Sequence, residues 1–183
     1  DELRRLAAPN TGDRPGAEKF LEETLQIIRE RPRIADTLAE ARGDSASIRE
    51  LAEYIEEDFN LTRRRLEVAG LEGKLGEVMM SRLASLPDVR EIRSATVARN
   101  EKLADISVST IDTDEALRQS ARRGVYLRKR FPELDSWPRS ERNILDRLYE
   151  QHRELLREQL EMKNTLLRQL VDTNQAATEL IAA

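Results

Sequence analysis

The chain has 183 residues, length for one or two domains, with 36% charged and only 4% aromatic residues. Its net charge of −4, with both signs interleaved, excludes the one-sided basic footprint of a nucleic-acid-binding protein. The absence of Cys excludes disulfides, thiolate nucleophiles and Cys-based zinc sites, and it fits an oxidising or a reducing compartment equally.

Six prolines and seven glycines are few, and with so few aromatics they point to long helices rather than sheets. Hydrophobic content of 39% suits narrow apolar seams along helices better than a thick globular core. The expected fold is all-α, an elongated antiparallel bundle of long, coiled-coil-like helices. The chain starts at Asp1 with no basic segment leading into an apolar one, so any signal peptide lies outside it. No apolar run approaches the roughly 18 residues of a membrane span, which predicts a soluble piece.

Residues 1–16 (DELRRLAAPNTGDRPG) read as a linker or the remnant of a preceding helix, broken at Pro9–Gly12 and at Pro15-Gly16. Residues 17–183 read as one bundle domain with helices at about 17–42, 44–69, 71–86, 88–123 and 137–181. In the first, Phe20, Leu21, Leu25 and Ile28 recur at helical spacing. Pro32 is expected to end or kink it, Ile34, Leu38 and Ala41 to resume it, and Gly43 to cap it. Asp44 or Ser45 then caps a second helix with a stripe of Ile48, Leu51, Ile55, Phe59, Leu66 and Ala69, ended by Gly70. The short 71–86 segment carries Leu71, Leu75, Val78, Met79, Leu83 and Leu86, with Gly73 and Gly76 permitting a tight corner.

The 88–123 helix has a drifting stripe of Val89, Ile92, Thr96, Leu103, Ile106, Ile111 and Leu117. Its Ser- and Thr-rich centre allows a kink or a frayed segment near 107–114. Gly124 breaks it, and Tyr126, Leu127, Phe131 and Trp137 in the following connection are expected to pack the bundle end. The last helix has Ser136 as its cap, Pro138 in its first turn and Glu141 near the capping-box position. Roughly 45 residues would span about 65 Å. Two adjacent seams run down it, one of Leu145, Leu148, His152, Leu155, Met162 and Leu166, the other of Tyr149, Leu156, Leu160, Leu167, Leu170, Ala177 and Ile181. Two seams suggest a helix touching two neighbours. The helix has a designed start and no designed stop, so a longer parent chain is expected.

No residue is singled out as catalytic, cofactor-binding or metal-binding. His152, the single histidine, stands in a helical stripe without a Ser, Asp or Cys pattern around it, so it reads as structural. Glu53, Glu56, Glu57 and Asp58 lack the loop and glycine turn of a cation site and read as a solvated face. Arg63–Arg65, Arg122-Arg123 and Lys129-Arg130 could meet phosphate or lipid headgroups, with ion pairing inside the chain as the simpler account. Met79-Met80 read as core filler. No nucleophile elbow, phosphate loop or dinucleotide fingerprint is present, so no enzyme and no cofactor are expected.

Residues 61–93 (LTRRRLEVAGLEGKLGEVMMSRLASLPDVREIR) resemble the periplasmic region of the large bacterial mechanosensitive channels of the MscK (KefA) type, within the MscS superfamily. The resemblance rests on a helix ending at Gly70-Leu71, the short Leu75-Gly76 segment and a new helix after Leu86-Pro87-Asp88. LLREQLEMKNTLLRQLVDTNQAATELI (155–181) is similar to the family segment that leads toward the first membrane spans. The resemblance covers roughly residues 44–183. It implies a periplasmic structural or regulatory domain of a tension-gated ion channel in the bacterial inner membrane, unable to conduct by itself. The implied partners are the membrane domain and other subunits of the same channel, a heptamer in full, with the isolated piece a monomer or weak dimer and no nucleic acid bound. The competing account is a scaffold or adaptor bundle that binds partner helices. Several apolar spans downstream of Ala183 would favour the channel, and a polar tail or stop the adaptor.

Overall fold

The computed structural model describes residues 15–68, 70, 74–83 and 88–182, and these are helical nearly throughout. The helices are α1 (Pro15–Val68), α2 (Leu75–Leu83), α3 (Val89–Gln119), α4 (Arg123–Arg130) and α5 (Arg139–Ala182), with a 3₁₀ turn at Leu134–Ser136 before α5. No strand occurs among the described residues, so the fold is all-α as the composition implied. The chain divides into two compact units. The first comprises residues up to Leu38 with Asp105–Leu167, the second Ala39–Ala104 with Arg168–Ala183.

The first unit is three helical segments deep. Contacts between α1 and α5 rise together along both helices, Thr24 with His152 and Glu30 with Gln159, so these two run parallel. Contacts of α5 with the α3 end of the chain run the other way, Tyr149 with Ser120 and Lys163 with Ser109 and Thr113, so α3 is antiparallel to them. One end of this unit is closed by an aromatic cluster of Phe20, Phe131, Trp137 and Tyr149 with Ala17, Leu127, Leu145 and Leu148, against which Tyr126 also packs. The connection residues Tyr126, Leu127, Phe131 and Trp137 therefore pack as expected, but Arg123–Arg130 is itself a helix, with Gly124 inside it rather than breaking it. Its backbone restarts one turn after α3 ends, where Tyr126 N–H bonds to the Arg122 carbonyl.

In the second unit α1 and α3 are again antiparallel, Glu40 pairing with Lys102 and Asp44 with Arg99. Thr173 of α5 reaches the Ala41 carbonyl of α1, and Asn174 reaches Asn100 of α3. Helix α1 ends at Val68, and Gly70 beyond it has a φ of +66°, the left-handed region that favours glycine.

Several expected boundaries are corrected. Helices 17–42 and 44–69 are one helix, and Pro15-Gly16 begin it rather than break the chain. Pro at a first helical position loses no bond, and Gly16 lets α1 approach α4, since a Cβ there would stand 2.9 Å from the Phe131 ring. Pro32 is exposed, so the carbonyl it leaves unpaired faces water, while Ile27 and Ile34 on the buried side hold the helix together. Gly43 is also exposed and helical, with buried Ala41 and Ser45 flanking it, so packing outweighs a propensity cost of about 1 kcal/mol. Ser45 is accordingly a buried core residue and no cap. Nothing lies within 4 Å of a Cβ at Gly43. Gly43→Ala is expected to stabilise the protein by about 1 kcal/mol, read from the shift of its denaturation midpoint.

The 88–123 helix stops at Gln119, and no break occurs at 107–114. There Thr110 and Thr113 donate their hydroxyls to the carbonyls four residues back, which satisfies them within the helix. Ser136 does not cap α5. It sits in the 3₁₀ turn and bonds back to the Glu133 carbonyl, and α5 begins at Arg139. Of the expected 71–86 helix, Leu75–Leu83 is described and is helical. Residues 1–14, Ala69, Leu71–Gly73 and residues 84–87, on which the linker and part of the residues 61–93 pattern fall, lie outside the described residues, as do the side chains of Leu75, Met79 and Leu83. Met80 is 69% exposed and fills no core.

Candidate functional site

The buried face of α5 carries the most informative chemistry. Its fully buried positions include Leu145, Tyr149, His152, Leu156, Gln159, Lys163, Leu166, Leu170, Thr173 and Ala177, in unbroken steps of four and three. That is the a/d pattern of a coiled coil, and polar side chains hold four of these positions. On α1 the same spacing runs through Ala17, Phe20, Thr24 and Ile27 in the first unit and through Ala41 and Ser45 in the second. The two expected seams of α5 are thus one buried seam. Leu155, Leu160, Met162, Leu167 and Ile181 lie half-buried on its shoulders, while Gln159, Lys163 and Thr173 occupy core positions that an apolar template passes over.

Each polar position has its own partner. His152 Nδ1 lies 3.0 Å from Thr24 Oγ1, and that hydroxyl donates to the Phe20 carbonyl at 2.8 Å. One hydroxyl proton cannot serve both bonds, so Nδ1 carries a hydrogen and donates it to Thr24. Burial, reinforced by the Arg130 charge and only partly opposed by Glu23, pulls the His152 pKa down to about 4. The ring packs 4.7 Å from that of Phe20. One layer on, Gln159 donates to Glu30 at 2.8 Å. Lys163 follows, its ammonium donating to the Ser109 carbonyl (3.1 Å), the Ser109 hydroxyl (2.6 Å) and the Thr113 hydroxyl (2.7 Å). Three donors meet three acceptors, so the cation is fully satisfied although burial lowers its pKa against the pull of Glu30 and Asp112.

The second unit repeats the device from another helix. Arg99 of α3, 6% exposed, donates to Asn174 at 2.9 Å and to Thr96 at 3.1 Å, and its guanidinium stands 3.6 Å from Asp44. One side chain therefore ties α3 to both α1 and α5. Sequence reasoning missed Arg99, Gln159 and Lys163 because it scored polar residues as outward-facing. The strict alternation of three and four, counted regardless of residue type, carries their positions.

The residues weighed from the sequence are placed apart. His152 is a core residue and lines neither of the two clefts described below. Glu53, Glu56 and Glu57 are exposed along α1, and no three His, Asp or Glu side chains gather closely enough for a metal ion among the described residues. Of the basic clusters, Arg63 pairs with Glu67, Arg123 with Asp146 and Arg130 with Glu23, so ion pairing within the chain accounts for those three side chains. The second unit also has an open groove of about 670 Å³ between α1 and α5, lined by Ile48, Ile55, Phe59 and Leu180 and rimmed by Arg49, Glu56, Asp172 and Glu179. Among the described residues no helix is long and apolar enough to cross a membrane.

Comparison with protein-family models, with curated proteins and with solved structures finds no match to this chain. What the arrangement can do is therefore argued from its geometry. The buried polar groups face each other across helices rather than into a cleft, where a substrate would need them. Their common effect is to make one register of α5 against its neighbours better than its alternatives: a shift by one layer would leave Lys163 or Arg99 buried without acceptors.

Proposed function

We propose that the chain is a non-catalytic structural and regulatory module, the extramembrane, periplasmic part of a tension-gated channel of the MscS superfamily. The observation that supports it is the register-locked seam of α5, a 44-residue helix. Such a helix is about 66 Å long. A helix whose polar layers resist sliding passes axial displacement along its length, which is what coupling to a membrane segment requires. The resemblance of residues 61–93 and 155–181 to the large mechanosensitive channels supplies the identity of the load. Partners in this proposal are the membrane domain and the sister subunits of the same channel.

Deleting residues 1–183 from the parent channel and recording its tension threshold by patch clamp tests the proposal. A shifted threshold, or an altered response to periplasmic ionic strength, is expected; the same threshold and the same ionic response would remove the regulatory role. The second account, a scaffold that binds partner helices, is favoured by the apolar groove at Ile48, Ile55 and Phe59. A pure scaffold leaves the threshold untouched, so the same recordings separate the two.

A further inference from the structure

In the first unit a cleft of about 500 Å³ opens between α4, the 3₁₀ turn and the first turns of α5. Four arginines line it, Arg123 and Arg128 from α4 and Arg139 and Arg142 from α5. Two carboxylates share the cleft, and both are already engaged: Asp146 pairs with Arg123, and Asp135 lies 3.6 Å from Arg128. Four arginines against two aspartates leave two positive charges. They fall on Arg139 and Arg142, whose side chains have no carboxylate partner among the described residues. Both stand in the first turn of a 44-residue helix, where the backbone dipole disfavours cations. Among the described residues no ion pair offsets that placement. Its volume is that of a small-molecule site, and no side chain narrows it at Gly124.

We propose that this cleft binds a multiply charged phosphate group through Arg139 and Arg142, with Arg123 and Arg128 completing the rim. Planar guanidinium groups take phosphate oxygens in bidentate pairs, and a dianion would neutralise the two charges left over. Two sources carry this chemistry, a soluble phosphorylated small molecule and the headgroup of an anionic lipid. The paired aspartates disfavour a simple monoanion, because they already offset half of the positive charge. Specificity then lies in charge density: pyrophosphate should bind more tightly than chloride or acetate.

Calorimetric titration of the full chain with pyrophosphate at low salt tests the site, beside flotation with phosphatidylcholine vesicles containing phosphatidic acid. Submillimolar binding is expected, weakened about tenfold or more in R139A/R142A. It should be unchanged in R64A, a control on an exposed arginine of the second unit. All four lining arginines are exposed, so the double variant is expected to keep the parent melting temperature. R139Q/R142Q, which keeps polar side chains but removes both charges, gives a second variant and is expected to lose binding in the same way. Pyrophosphate binding without flotation assigns a soluble ligand. Flotation lost in the double variants and displaced by pyrophosphate assigns the lipid phosphate. No binding to either probe, or binding that survives both double variants, overturns the proposal.

Discussion

Phe20→Ala is expected to destabilise the protein by about 3–5 kcal/mol. Phe20 has no exposed surface and stands at the meeting point of the aromatic cluster. Its ring centroid is 6.1 Å from Tyr126, 6.2 Å from Phe131 and 4.7 Å from His152, and the Arg130 guanidinium covers it at 5.3 Å. Removing the ring opens a void bordered by helices α1, α4 and α5, none of which can collapse alone without breaking its other layers. The void also reaches a polar group, because the His152 ring packs 4.7 Å from that of Phe20 and would lose that neighbour. Trp137, the single tryptophan, is 5% exposed and packs 5.4 Å from Phe131. Its fluorescence therefore reports this cluster, and its denaturation midpoint should fall sharply in the variant. Tyr54→Ala, at a site 61% exposed, should stay within about 0.5 kcal/mol of the parent.

The second large effect is a loss of stability in mild acid. His152 is neutral in the folded protein, with a pKa lowered from 6.5 to about 4, chiefly by burial. The folded state therefore binds a proton less readily than the unfolded chain. Its contribution to stability is complete above pH 6.5, falls as pH drops toward 4, and does not fall further below that. A shift of this size corresponds to about 3 kcal/mol. Chemical denaturation at closely spaced pH values should show a slope between pH 4 and 6.5 that disappears in His152→Gln. A slope of equal size in that variant would assign the acid sensitivity to other groups.

These two residues also mark how far the sequence was legible. Phe20, Tyr126, Phe131 and Trp137 announce themselves as apolar residues in a chain with few aromatics, and their common cluster closes the bundle end as expected. Helix existence was equally legible, because long stretches free of Gly and Pro leave little alternative. The interruptions were not. Pro32 and Gly43 are strong local breakers, yet both sit on the exposed side of a helix whose buried side is continuous, and tertiary packing decides such cases. Gly124 shows the same override within α4.

The polar core was illegible for a different reason. Lys163, Arg99 and Gln159 have the composition of a solvated face, and only their partners make them core residues. Those partners lie 54, 75 and 129 positions away in the chain, beyond any local pattern. The exposed apolar residues mirror this. Ile111 of the expected α3 stripe, at 66% exposure, stands outside the seam that Thr110 and Thr113 occupy, while Ile92, Thr96, Leu103, Ile106 and Leu117 of the same stripe are half-buried.

The claim that these polar layers fix helix register meets its most direct test at Lys163. Thr113→Val removes one of its three acceptors and should cost about 1–3 kcal/mol, because a buried ammonium is left short of a partner. Lys163→Met should be neutral or stabilising, since Thr113 keeps its bond to the Ser109 carbonyl and no charge remains buried. In the double variant the Thr113→Val cost should largely vanish. The double-mutant cycle by chemical denaturation is predicted to give a coupling of about 1 kcal/mol or more. Additive effects of the two substitutions would contradict the account, for Lys163 would then not be anchored to α3.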